Sequence, residues 1–155
     1  MTQLTKNFSL AEMTKSETAL RFDIPNEPDA DQLNNLLLLC GNVLQPVRDH
    51  FGKGVKVNSG LRVAAVNQKV GGSSNSDHTR GQAADIEIPG VPNAVLAEYI
   101  RDHLPFTQLI LEFYTPGVPD SGWVHVSYNP QNLKKQVLTA VKKDGKTVYL
   151  PGLVA

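Results

Sequence analysis

With 155 residues, 41% of them hydrophobic and 19% charged, the chain is expected to form one globular domain over 1–155, and a disordered or fibrous polypeptide is excluded. Its 15 Lys and Arg balance 15 Asp and Glu, so no net field draws it to nucleic acid or to an acidic membrane surface. The single cysteine, Cys40, excludes an intrachain disulfide and sits in an apolar run, where a small buried residue is expected rather than a nucleophile.

In chain order, residues 1–17 lack the apolar core of a secretory signal, and no run approaches the ~18 apolar residues of a membrane span. The expectation is synthesis in the cytoplasm with no signal peptide and no membrane insertion. Ser9 followed by Glu12 has the spacing of a capping box, which predicts a short helix over 10–14. Residues 23–29 hold two prolines and read as a loop. From Asp29 or Asp31 to about Phe51, apolar residues at Leu33, Leu36, Leu37, Cys40, Val43, Leu44, Val47 and Phe51 predict a buried helix face. Pro46 should kink that helix or begin a new turn, and Gly52 and Gly54 end it.

Residues 55–58 alternate and predict a strand, 62–70 a short helix stopped by Gly71 and Gly72, and 73–80 a polar, turn-rich stretch. Residues 83–88 predict a strand and 91–104 a helix with Pro92 near its first turn. His50 and His103 end helices, where capping explains both. Strands are predicted at 109–114 and 123–128, joined by a turn-rich connection. A hairpin is predicted over 136–150, turning at Asp144–Gly145. Helices concentrate in the first half and strands in the second, and the later connections are too short for helical crossovers. The fold class is therefore α+β with an antiparallel sheet.

Two segments carry chemistry. Ser76 to Asp85 sets His78 in a polar loop and Asp85 inside an apolar strand, where an unpaired charge is costly. Asp85 therefore needs a partner: a metal ion, an arginine, or a capping role. His125 lies between Val124 and Val126 on a predicted strand. Taken singly, either histidine reads first as a core or surface residue. Taken together, two nitrogens and one carboxylate suit zinc and leave a fourth position open for water.

The run Asn58-Ser59-Gly60-Leu61-Arg62, then Asn67 and Gly71-Gly72-Ser73, then Ser76 through Asp85, and later Trp123-Val124-His125-Val126-Ser127 resembles the zinc D-Ala-D-Ala carboxypeptidase family. That family includes VanX- and VanY-like enzymes and many phage endolysins, and it shares a fold with the hedgehog signalling domain. Its pattern, S-G-x-R, then S-x-H-x-x-G-x-A-x-D, then W-x-H or H-x-H, occurs here in order. The likeness extends to 8–13, 16–21 and 44–48, and so covers nearly all of the chain but its last fifteen residues. It implies N-terminal helices packed on a small antiparallel sheet, and Zn2+ held by His78, Asp85 and His125.

The resemblance also implies that Arg62 holds substrate carbonyl or carboxylate groups and that Ser76 shapes the substrate site. A capping or surface arginine and a loop serine are the plainer readings. Many relatives place an acid three residues before the last histidine, or a histidine two before it; here those positions are Gly122 and Trp123. Two acids remain nearby, and the general base is expected to be Glu112, set among apolar neighbours, with Asp120 as the alternative. A solvent-facing strand residue is the plainer reading of Glu112, and a turn residue that of Asp120.

The expected activity is zinc-dependent hydrolysis of peptidoglycan stem peptides, as a D-Ala-D-Ala carboxypeptidase or an L-Ala-D-Glu-type endopeptidase. The expected bearer is a monomeric phage or prophage endolysin that reaches the cell wall through a holin, or a part of the phage particle. The rival expectation is a zinc-stabilised, non-catalytic module of the same fold that binds cell wall or protein.

Overall fold

The computed structural model describes residues 2–154. Two short strands, β1 (Gln3–Thr5) and β2 (Phe8–Ser9), pair antiparallel ahead of α1 (Leu10–Thr14). The capping box forms as expected: the Ser9 hydroxyl accepts the Glu12 N–H while the Glu12 carboxylate accepts the Ser9 N–H. A second cap on the Ser16 hydroxyl starts α2 (Glu17–Arg21), a helix absent from the sequence reading.

Asp29 and Gln32 form another capping box at the start of α3 (Ala30–Leu39), which settles the start of the long helix. That helix runs to Phe51, but not as one α-helix. A π-helical turn over Cys40–Leu44 separates α3 from α4 (Gln45–Phe51), with the Gln45 N–H bonded to the Cys40 carbonyl five residues back. The widened turn ends where α4 begins, with Pro46 in its first turn, so the proline, which lacks an N–H, enters at a helix start instead of a helix interior. Gly52 closes α4 at φ 64°. The buried stripe is Leu36, Leu39, Cys40, Val43, Leu44 and Val47, all fully buried, whereas Leu37 is 40% exposed. Four consecutive leucines leave the helix face ambiguous by sequence, and Leu39 takes the place expected for Leu37.

The remaining elements are β3 (Lys56–Ser59), α5 (Ala64–Lys69), a 3-10 turn over Asp77–Arg80, β4 (Ala83–Glu87), α6 (Asn93–His103), β5 (Gln108–Glu112), β6 (Trp123–Ser127), β7 (Gln136–Lys143) and β8 (Lys146–Pro151). Six of the strands form one sheet in the order β3-β4-β6-β5-β7-β8. All neighbours are antiparallel but one: β7 runs parallel to β5, which departs from the all-antiparallel expectation. The chain leaves β6, passes through residues 128–135 and returns along the far side of β5. No hairpin joins β5 to β7, so nothing obliges them to be antiparallel.

Alternation sorts the sheet into two faces. Ala84, Ile86, Leu109, Leu111, Val124 and Val126 are fully buried and join the helical residues Leu36, Leu96 and Ile100 in the core. Burial of each large aliphatic side chain here contributes about 1.5–3 kcal/mol. The other face carries Asp85, His125, Ile110 and Glu112 and is left open by the helices. His50 and His103 lie in the last turns of α4 and α6, as expected, and also pack: His50 stacks on Tyr99 with ring centroids 3.9 Å apart, and the His103 ring centroid lies 5.0 Å from that of Tyr99.

Candidate active site

Cross-strand register assembles the site. Asp85 on β4 pairs with His125 on β6, which pairs in turn with Ile110 on β5. One step along the same face, Trp123 pairs with Glu112. A carboxylate, an imidazole, an indole and a second carboxylate thus share one face of three adjacent strands.

His78 reaches this face from the 3-10 turn. Ser76 caps that turn, its hydroxyl accepting the His78 N–H at 3.2 Å. Gly81 ends it at φ 73°, where a Cβ would press on the Gln32 carbonyl at 2.7 Å. The motif glycine is therefore needed both for its backbone conformation and for the close approach of α3. The loop bearing Arg62 is tied to the same turn: the Arg62 N–H bonds the His78 carbonyl at 3.0 Å, and the Leu61 N–H bonds the Met13 carbonyl at 2.8 Å. Gly60 has no room for a side chain against the Met13 backbone. Asn67, buried, donates to the Ser73 carbonyl at 2.8 Å and packs against Gly72, which accounts for the Asn and Gly-Gly-Ser positions before the histidine.

His78, Asp85 and His125 each present one donor atom, and these atoms lie within 4.8 Å of one another. His78 Nε2 is 3.4 Å from Asp85 Oδ2, and His125 Nδ1 is 3.1 Å from Asp85 Oδ1. Four ligands at 2.0–2.1 Å around zinc stand about 3.3–3.4 Å apart, so these spacings suit the metal. His78 Nδ1 lies 2.8 Å from the Gly60 carbonyl, which can only accept; this assigns the proton to Nδ1 and turns the Nε2 lone pair inward. That second contact, supplied by the glycine of the S-G-x-R run, was not anticipated by sequence.

The electrostatics are those of a partly desolvated charge cluster. Burial works to raise the Asp85 pKa, but hydrogen bonds and charge from His125 and His78 more than offset it and hold the carboxyl well below its usual range. Burial likewise works to lower the His125 pKa, and the bond to Asp85 together with its charge overcomes this, so the net shift is upward. Glu112 shifts upward through burial first and the Asp85 charge second, opposed by His125, the Trp123 indole and His78. Arg62 shifts downward through burial, opposed by Asp85 and Glu112.

These side chains line one cavity of about 390 Å³. Arg62, Ser76 and Glu112 lie on it beside the three candidate ligands. The Trp123 indole N–H donates to Glu112, so Glu112 faces the cavity and not solvent at large. Among the described residues, the buried Arg62 Nε–H has no hydrogen-bond partner. Arg62 also lines a neighbouring cavity of about 410 Å³ with Lys15, Lys56 and Ser59. Asp120 is elsewhere, lining a separate depression with Lys56, Glu87 and Asn93.

Trp123, Gln108 and Tyr149 are among the lining residues that had no assigned role by sequence. Trp123 lies two positions before His125, so strand alternation alone would have placed it on the same face. Gln108 and Tyr149 depend on pairing between strands distant in sequence. Asn26, read only as loop, organises the approach to Arg62: its Nδ2 donates to the Thr14 and Leu61 carbonyls at 2.7 and 2.8 Å, and its Oδ1 accepts the Val63 N–H at 3.0 Å.

Comparison with known proteins identifies the family. A family model described as peptidase M15 matches residues 6–127. A 77-residue stretch is 39% identical to the zinc D-Ala-D-Ala carboxypeptidase of Streptomyces albus G; it covers 49% of this chain and 28% of that relative. The chain belongs to the peptidase M15 family. Zinc, named in the description of that relative, fits the two-histidine, one-aspartate donor set.

Proposed function

We propose that this M15-family chain is a zinc-dependent peptidase that hydrolyses peptide bonds in the stem peptides of bacterial peptidoglycan, with His78, Asp85 and His125 as metal ligands. The observation that carries the reading is the convergence of these three donors within 4.8 Å in a cavity that also holds Glu112 and Arg62. The named relative, a D-Ala-D-Ala carboxypeptidase, supports the substrate class.

When bound, zinc supplies Lewis acidity, polarising a carbonyl and acidifying water. The residues then divide the work. Glu112 accepts a proton from the attacking water as its oxygen adds to the carbonyl carbon. The same carboxyl returns that proton to the leaving nitrogen as the C–N bond breaks. Its raised pKa suits both roles, because a stronger base accepts more readily and the acid form persists to higher pH. Arg62, which lines the cavity, offers its guanidinium N–H groups to the carbonyl oxygen, whose negative charge grows towards the transition state. Ser76 acts through His78, holding the turn that presents the imidazole.

Either a terminal D-Ala or a bond within the stem peptide is compatible with this chemistry. A phage or prophage endolysin, delivered to the wall by a holin, is the biological setting of the reading. Glu112 in the cavity favours an enzyme over a zinc-stabilised binding module. The test is mass spectrometry of purified peptidoglycan fragments after incubation with zinc-loaded protein, beside a chelated sample. A chelator-sensitive product supports the peptidase, and its mass names the bond. No product from zinc-loaded protein across a range of stem peptides overturns the reading.

A further inference from the structure

The C-terminal hairpin lies beyond the segment that carries the family match, which ends at residue 127. Its strands nevertheless extend the catalytic face. Glu112 on β5 pairs with Ala140 on β7, and Ala140 pairs with Tyr149 on β8. With Trp123, this forms a row across four strands: Trp123, Glu112, Ala140, Tyr149. Paired residues point to the same side of a sheet, so Tyr149 stands on the face that bears the site. It lines the same cavity as His78, Asp85 and His125.

We propose that this hairpin forms the far wall of the substrate cleft, and that the Tyr149 ring is a specificity-determining contact for a small apolar residue beside the scissile bond. The inference deepens the peptidase reading and rests on it. Strands are about 4.8 Å apart, so Glu112 and Tyr149, two strands apart, are separated by roughly 10 Å at their backbones. Ala140 between them is fully buried and does not line the cavity, so the open space lies over β5 and β6, with Tyr149 at its edge. On this side Ile110 on β5 and the Tyr149 ring offer apolar surface beside the Gln108 amide, whereas Arg62, Asn75 and Asp77 make the opposite side polar. An alanine-sized side chain matches the apolar side, and peptide carbonyls match the polar one.

The wall is held in place. Asp144 and Gly145 turn the hairpin with φ of 53° and 76°, a tight turn that fixes the β7–β8 register. Thr139, buried, donates to the Gly152 carbonyl at 2.8 Å and accepts the Val154 N–H at 2.9 Å. The Phe113 N–H bonds the Ala140 carbonyl at 2.9 Å, tying the hairpin to the end of β5 beside Glu112. Against this rigid base the Tyr149 side is 53% exposed, a large amphipathic ring at the lip of the cavity, as at many binding surfaces.

The experiment compares the full zinc-loaded chain with its Tyr149→Ala and Tyr149→Phe variants on purified stem peptides. kcat and KM are measured together with zinc content and thermal midpoint. The same peptide is also titrated into each protein on a Glu112→Gln background, following Trp123, the only tryptophan, by fluorescence. Tyr149→Ala is expected to raise KM and Kd at least about five-fold, with kcat, zinc content and stability unchanged. Tyr149→Phe, which keeps the ring, is expected to stay within about two-fold of the parent. An active parent with unchanged KM and Kd in Tyr149→Ala overturns the inference alone. An inactive zinc-loaded parent overturns the peptidase reading, and the titration then still decides whether Tyr149 contacts the peptide.

Discussion

Glu112→Gln isolates the proton-transfer step. Gln has the same shape and keeps an oxygen to accept the Trp123 indole N–H, so the cleft wall is retained. What is lost is a group able to take up and return a proton. A positioned general base contributes about a hundred- to ten-thousand-fold, or roughly 2.7–5.5 kcal/mol of barrier. We expect kcat to fall by that factor with KM little changed. Zinc content should not fall, because Glu112 is outside the three-donor cluster. Product formation by mass spectrometry and bound zinc by elemental analysis are read on the same samples. Asp120→Asn is the internal control: Asp120 lines a different depression, so its activity should remain within about two-fold. A zinc-loaded Glu112→Gln with parental kcat refutes the assignment. If Asp120→Asn is the inactive variant instead, the base belongs to the loop before β6.

Replacing His78 or His125 by alanine should drop bound zinc well below that of the parent and abolish hydrolysis, whereas a variant that keeps both shows that the residue is no ligand. Asn26→Ala removes three hydrogen bonds at the junction of α1 and the Arg62 loop, and should cost about 2–3 kcal/mol. Denaturant melts should show a lower midpoint at unchanged slope; an unchanged midpoint shows that the junction stands without it. Burial, with a smaller contribution from the Glu12 charge, pushes the Cys40 thiol from 9.0 up to about 12. Because the folded value lies above the unfolded one, the associated stability is intact below pH about 9 and lost as the pH rises towards 12. Alkylation of Cys40 at pH 8 should therefore be slow in the native protein and complete in denaturant, and rapid native labelling contradicts its burial.

What was legible in the sequence was what local chemistry dictates. Ser9 with Glu12 caps a helix within four residues, and Asp144-Gly145 turns a hairpin within two. Both features could be read without knowing where the rest of the chain lies. The π-helical turn was only half legible: Pro46 announces a break, but whether the chain kinks or widens depends on burying Leu39, Cys40, Val43 and Leu44 together. The parallel pairing of β7 with β5 had no local signal, since strand direction there is settled by the packing of the whole sheet. Tyr149 inherits that blindness, because its place in the cleft follows from two successive long-range pairings.

Gly122 shows how an absent residue can be as informative as a present one. The resemblance leads one to expect an acid three residues before the final histidine or a histidine two before it, and here those places hold Gly122 and Trp123. Gly122 has φ 65°, and a Cβ on it would collide with the backbone carbonyl of Glu112 and with Phe113. The start of β6 therefore lies so close to the end of β5 that no side chain can occupy position 122. The same approach sets Glu112 directly across from Trp123, on the face that His125 shares two residues later. Phe113, at φ 57°, turns the chain away immediately after Glu112, so the carboxylate is the last group β5 presents to the cavity. Gly122 and Glu112 are ten residues apart in the sequence and look unrelated, yet the missing side chain at 122 leaves room for the end of the strand that brings Glu112 to the cavity.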